Sequence, residues 1–278
     1  MVTKLHRIVR RLVHSKAALA LPVTFLILFV STLGIIAVTY AYSVERVNAQ
    51  GQTLKVSNAK ETFQTLDQDI VTTLWQPGSA QTIEIADCGG QTNIQPTNNT
   101  LTINVNDNSG IDETIFNTAV GRVTYELPYA SSSDTGLYLK GDERAITNQS
   151  GASLSQLQIA NGDEHVEIQL RYRPTVSYTY GGLQDGKAVN NIRIYIVNLN
   201  SSDPMALMGK LPLRISCVST ELSTKTYSVS YQPENLALTA NLDGDNGNVN
   251  LPLSSTLSGA IINIEIVVSN VSIERWIR

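Results

Sequence analysis

The sequence predicts an α+β protein in which one long N-terminal hydrophobic helix, of transmembrane length, precedes an all-β, sandwich-like extracellular domain. Two observations carry this. Positions 17–44 hold no charged residue, a run of 28 against the roughly 20 that cross a bilayer core. From about position 79 the apolar residues change from helical spacing to strict alternation, the spacing of a strand with one buried face.

The leader comes first. Residues 1–16 carry Lys4, Arg7, Arg10, Arg11 and Lys16 and no acid. The formal charge of the whole chain is −4; without these five the remainder holds 15 basic against 24 acidic residues, a formal −9. A nucleic-acid binder carries a basic face on its folded part, so that class is set aside. A basic block on one side of an apolar span stays in the cytoplasm, which places everything beyond about position 45 outside the cell membrane, in single-pass topology.

The span itself, LALPVTFLILFVSTLGIIAV, is dominated by aliphatic residues. Its hydroxyls, on Thr24, Ser31, Thr32 and Thr39, can bond their own helix backbone. Tyr40 and Tyr42 stand where amphipathic rings favour the membrane interface. Ala37 and Ala41 form a small pair that would let another helix approach closely. A secretory signal has an apolar core of about 7–15 residues followed by a small-residue cleavage site. This run is longer, so processing is looked for in front of it.

There the residues Ser15-Lys16-Ala17-Ala18-Leu19 resemble the class III (prepilin-type) signal of archaeal type IV pilins and archaellins. The resemblance implies a cut between Ala17 and Ala18, with Lys16, Ala17 and Ala18 as processing residues. The mature chain would then begin with the hydrophobic helix. Its fifth residue would be Pro22, where many bacterial pilins carry glutamate, so the likeness is to the archaeal branch. The family implies a structural surface protein: a subunit of a pilus-like filament, or a minor component of one. Its partners would be membrane lipid, a prepilin peptidase-like enzyme, the pilus assembly machinery and further copies of itself. The alternative is an uncut, non-polymerising anchor whose β domain binds a partner or glycan.

Beyond the span the chain stays helical. Val56, Ala59, Phe63, Leu66, Ile70 and Leu74 recur at steps of three and four, with Asp67 and Asp69 read as off that stripe. The stripe fits docking on the chain's own β domain, or pairing with neighbouring helices. Pro77-Gly78 stops the helix. The expected organisation is therefore a leader at 1–17, a membrane or filament-core helix at 18–44, a helical stalk at 45–76 and the β domain at 77–278.

Eleven strands are expected: 82–86, 100–105, 122–127, 136–140, 165–173, 176–180, 191–198, 211–218, 226–231, 236–241 and 261–268. Gly, Asn and Asp at 106–110, 161–163, 181–186, 198–204 and 243–248 supply the turns between them. Residues 142–160 read as loop or short helix.

The residues for enzyme chemistry do not assemble. His6 and His14 lie in the leader, leaving His165 as the single histidine beyond the span, too few for a Ser-His-Asp triad on the usual pattern or a multi-His metal site. The stretch from Asp243 to Asn248 resembles a calcium loop but puts Gly247 at position 5 and Ser254 at position 12, where an EF-hand needs oxygen ligands. Asp107, Asp112 and Glu113 form a second acidic loop. The expectation is no enzyme, no cofactor and no resident metal. Cys88 and Cys217 could form one disulfide or remain buried thiols. Asn98, Asn148, Asn200 and Asn270 sit in Asn-x-Ser/Thr sequons, open to N-glycosylation on an outside domain.

Overall fold

The computed structural model describes residues 16–127, 136–149, 152–161 and 166–276. His6, His14 and His165 lie outside the described residues. The chain divides into two compact units, Met1–Leu54 and Lys55–Arg278. One helix, α1 (Lys16–Thr73), runs through the described part of the first unit and opens the second.

From Pro22 to Tyr42 α1 is apolar on every side. Phe25, Leu26, Ile27, Leu28 and Phe29 are consecutive, so at about 100° per residue they cover the whole circumference. Pro22 lies inside the helix near its start, and Gly51 does not interrupt it.

The second unit begins with the last turns of α1. The helix ends at Thr73, whose carbonyl accepts a hydrogen bond from Ser79 Oγ at 2.8 Å. Trp75 at φ 66° and Gly78 at φ 87° then turn the chain, as Pro77-Gly78 led one to expect. Fifteen strands follow among the described residues: β1 (Ala80–Ile85), β2 (Gln91–Gln95), β3 (Thr100–Asn106), β4 (Asp112–Ala119), β5 (Arg122–Glu126), β6 (Tyr138–Lys140), β7 (Ser155–Asn161), β8 (Val166–Tyr172), β9 (Thr175–Gln184), β10 (Lys187–Asn198), β11 (Met205–Met208), β12 (Leu211–Val229), β13 (Asn235–Leu242), β14 (Asp245–Pro252) and β15 (Ala260–Arg275).

They form three sheets. The first has the order β1-β12-β15-β10-β9, the second β11-β2-β5-β8-β7-β6, the third β14-β13-β3-β4. The ladders are antiparallel except β10 with β15, which run parallel. The expectation of a long helix followed by a mostly β domain holds, but three sheets replace the two of a single sandwich.

The first sheet explains the arrangement. Its longest strands, β12 and β15, pair over most of their lengths, and it carries a different core on each face. On β15, Ile262, Ile264, Ile266 and Val268 join Ile192, Ile194 and Ile196 of β10 against the third sheet. Val271 and Ile273 have the opposite parity and join Leu213 and Ile215 of β12 in a core with the second sheet and α1. Successive side chains on a strand point to opposite faces, so the two cores lie on opposite sides of one sheet. Between Cys217 and Ser219 the β12–β15 register shifts by one residue, at Val218. This bulge moves the buried set of β12 from one face to the other. Leu211, Leu213 and Ile215 before it serve the α1 core; Tyr227 and Val229 after it pack against the other.

The apolar stripe of α1 docks on the protein's own β domain. Ala59, Phe63, Leu66, Ile70 and Leu74 are buried in the core with β2, β5, β7 and β8, and Val56 packs at its margin. Phe63 meets Tyr125 with ring centroids 5.9 Å apart. Asp67 corrects the sequence reading: it is fully buried, 0% exposed. It stands four residues after Phe63 and three before Ile70, within the docking arc rather than beside it.

Candidate assembly surface

Every side chain described from Pro22 to Gln50 is exposed. Among them Phe25, Ile35, Val38 and Tyr40 show 65–72% of their surface. Such a continuous apolar surface is far beyond the patches soluble monomers tolerate. Some of the polar groups on and beside it bond within the helix. Thr32 Oγ1 donates to Leu28 O and, at 3.2 Å, to Phe29 O. Thr53 Oγ1 donates to Ala49 O at 3.0 Å, and Arg46 Nη1 to Tyr42 Oη at 2.9 Å. The backbone of a helix is likewise bonded internally, so the main chain of the uncharged stretch from Pro22 to Val44 needs no water. Chemically it can be covered by lipid or by other apolar helices. Lys16, Ala17 and Ala18 form the first described turn of α1, and Ala37 and Ala41 are exposed on it.

The head fixes the helix end with a buried polar cluster that sequence reasoning missed. Asp67 accepts hydrogen bonds from Tyr172 Oη at 2.9 Å, Ser155 Oγ at 3.1 Å and Lys140 Nζ. The donors come from β8, β7 and β6, so one carboxylate ties α1 to three neighbouring strands. Complete burial, with the Asp67 carboxylate second, pushes the Tyr172 phenol well above its ordinary range. The available signal was the helical phase of Asp67 between Phe63 and Ile70.

The other face of the second sheet is polar and also buried. Arg173, 0% exposed, binds Asp142 with its guanidinium and donates to Arg144 O at 3.0 Å and Ser153 O at 3.0 Å. Arg144 grips Asp142 as well, at 2.7 and 2.9 Å. The Arg144 and Arg173 contacts hold the Asp142 carboxyl far below the usual carboxylate range. Arg171 bonds Gln156 Oε1 at 2.9 Å and pairs with Asp245 of β14. These residues lie in and beside the stretch 142–160, whose described residues, 142–149 and 152–160, form β7 and a coil tied to the buried Arg171 and Arg173.

The acidic loops are turns. Asp243-Gly244, with φ of 56° and 93°, connects β13 to β14, and Asp243 pairs with Arg122 at 3.7 Å. With Asp245 bound to Arg171, both acids of that stretch face arginines. Asp107 Oδ1 accepts the backbone N–H groups of Ser109, Gly110 and Ile111 at 2.8–2.9 Å, and Oδ2 takes the Tyr231 hydroxyl. Burial alone would raise this carboxyl, but Tyr231 and the three N–H groups outweigh it and leave it lowered. Burial and Asp107 together push Tyr231 up to about 12. Glu113, placed in the same acidic loop by sequence, instead accepts from Lys225 at 2.9 Å and from Tyr227. Asp112 opens β4 and is exposed. Among the described residues no group of three or more His, Cys, Asp and Glu side chains could hold a metal ion.

Cys88 and Cys217 are free and buried. The β1–β12 ladder separates them. Cys217 exchanges backbone bonds with Gly78 and Ser79 at one end, while Cys88 lies past the Ile85–Leu211 pair at the other. Six strand positions span about 20 Å, against the roughly 7 Å limit for a disulfide. Cys217 Sγ instead lies 3.6 Å from Ser269 Oγ.

The sequons divide. Asn98 and Asn148 are exposed and Asn200 is half-buried. Asn270 does not suit glycosylation: it is 8% exposed on β15, and its amide donates to Glu221 Oε1 at 2.7 Å and Ser219 Oγ at 3.0 Å.

No protein-family model matches the chain, and comparisons with curated proteins and with solved structures find no match either.

Proposed function

We propose that this chain is a pilin-like structural protein of an archaeal cell surface. Its apolar helix is held in the membrane or in a filament core, and its β domain faces outward to mediate adhesion. The single observation that carries the reading is the helix surface from Pro22 to Gln50, exposed throughout and apolar on all sides up to Tyr42. A buried core helix would be covered by its own fold, and a surface helix would be polar on one side. The docked stretch from Ala59 to Leu74 supports the same division of labour, since a helix anchored in its own head leaves the preceding segment to lipid or to neighbours. The basic leader and the junction at Lys16, Ala17 and Ala18 supply the processing site and the orientation.

In this reading the assembly machinery draws the helix from lipid into a bundle of identical helices, where the Ala37–Ala41 pair permits close packing. Exposed Asn98 and Asn148 are the sequons accessible to a glycosyltransferase. N-terminal sequencing of the mature protein tests the proposal. A start at Ala18, with filaments in sheared surface material, supports it. An intact leader and no filaments would leave a static, partner-binding anchor.

A further inference from the structure

We infer that the outer half of β12 is a self-complementary edge through which two copies of this chain join their first sheets into one continuous sheet. β1 pairs with β12 only from Leu211 to Ser216. From Ser219 to Val229, among the described residues, β12 has a ladder partner on one side alone, β15. Half of the N–H and C=O groups of these 11 residues therefore point away from the sheet. Side chains there are open as well: positions 221–224 are all exposed, with Leu222 at 65%.

This edge differs from the opposite one. β9, at the far side of the sheet, carries Gly181 and Gly182, the latter at φ 88°, and its ladder with β10 shifts register between Ala188 and Asn190. Irregularities of that kind bend an edge away from pairing. The ladder of β12 with β15 runs from Ser219 to Val229 without a shift. What guards it is two charges, Glu221 and Lys225.

Those charges choose the partner. Edge charges repel most strands, but here they have opposite sign and stand four positions apart on one face. In an antiparallel pairing of two copies centred on Ser223, each Glu221 lies opposite the other copy's Lys225. The register also places Thr220 opposite Thr226 and Leu222 opposite Thr224. Opposite charges directly across an antiparallel pair favour it, and like charges oppose it. Moving the centre one position either way loses both ion pairs. Existing contacts leave room: Lys225 Nζ bonds Glu113 at 2.9 Å but has three N–H donors, and Glu221 gives one oxygen to Asn270 but has two. The partner is therefore a second copy of this chain, added by main-chain hydrogen bonds. The inference concerns the head alone and does not depend on filament assembly.

Single cysteines test it on the full chain in detergent, since Cys88 and Cys217 are buried. Ser223→Cys places two sulfurs across the two-fold axis, at a Cα separation of about 4.5–5.5 Å that a disulfide can bridge. Ser228→Cys puts the two cysteines about 34 Å apart, ten strand positions at about 3.4 Å each. Mild oxidation should form covalent dimer about a hundredfold faster at position 223 than at 228, because pairing sets an effective concentration of about a millimolar against collision at about 10 micromolar protein. Adding Glu221→Lys to Ser223→Cys should abolish that excess, with the melting curve confirming a folded head. Equal rates at 223 and 228, or a maximum at another position in a scan of 221–226, would overturn the inference.

Discussion

Replacing Asp67 by alanine removes the carboxylate that joins α1 to β6, β7 and β8. Three donors lose their acceptor: Lys140 Nζ, Ser155 Oγ and Tyr172 Oη. Breaking a buried ion pair from one side typically costs about 3–5 kcal/mol, and an orphaned buried hydroxyl about 1–3 kcal/mol. Lys140 is 37% exposed, so its ammonium can turn toward water, which places the total near the low end, about 3 kcal/mol. For a unit the size of Lys55–Arg278, each kcal/mol moves the melting temperature by about 2–4 °C, so a fall of about 6–12 °C is expected. Thermal melts of the full chain in detergent, followed by near-ultraviolet circular dichroism, read this directly. Asp67→Asn keeps one acceptor oxygen and should lose less. Combining Asp67→Leu, Lys140→Met and Tyr172→Phe, which removes the charges and the phenol together, should recover much of the loss. A melting temperature for Asp67→Ala within about 1 °C of the parent would refute the claim that this cluster holds the helix to the head.

Acid should weaken the head through Asp107. Its carboxyl is lowered in the fold, so its contribution is present above the unfolded value of about 3.9 and is lost as pH falls through the folded value. Urea titrations between pH 7 and pH 2 should show this loss, and Tyr231→Phe should shrink it. At the alkaline end Tyr231, pushed up to about 12 from an unfolded value of about 10, contributes stability below pH 10 that disappears as pH rises through 12. Gly259→Ala should destabilise by about 2–3 kcal/mol or more in the same titration, because φ is +103° and a Cβ would stand 2.0 Å from Val229 O. Glycan analysis in the native host should find Asn270 unmodified and Asn98 open to modification, and Asn270→Ala should cost about 1 kcal/mol by removing the buried amide's bonds to Ser219 and Glu221.

The order of helix and β domain was legible because two periods differ so strongly: 3.6 for Ala59, Phe63, Leu66 and Ile70, and 2 for Ile192, Ile194 and Ile196. Strands that bury neither face cleanly left little trace. β4 is mostly exposed, and β2, QTNIQ, is buried on both faces yet almost wholly polar. β14 was hidden by its composition: Asp245, Asn246 and Gly247 read as turn, yet only Asp243-Gly244 turns and the strand starts at once. The break expected between two strands at 218 and 226 is a bulge followed by a polar edge, so 211–229 is one strand. Asp67, Arg171 and Arg173 escaped because charge was taken as a sign of solvent; the partners of Asp67 are 73–105 residues away and the acids that pair with Arg173 and Arg171 are 31 and 74 residues away, beyond any local pattern. The long apolar helix, by contrast, was legible, because it follows from local composition and length rather than from distant contacts.

Protease added to intact cells, with the peptides identified by mass spectrometry, distinguishes an anchored helix with an outward head from any other arrangement. Peptides from the Lys55–Arg278 unit should be released while the segment from Pro22 to Tyr42 stays with the membrane or the filament. Recovery of the whole chain in the soluble fraction, or a head left uncut until the cells are lysed, would contradict the anchored arrangement.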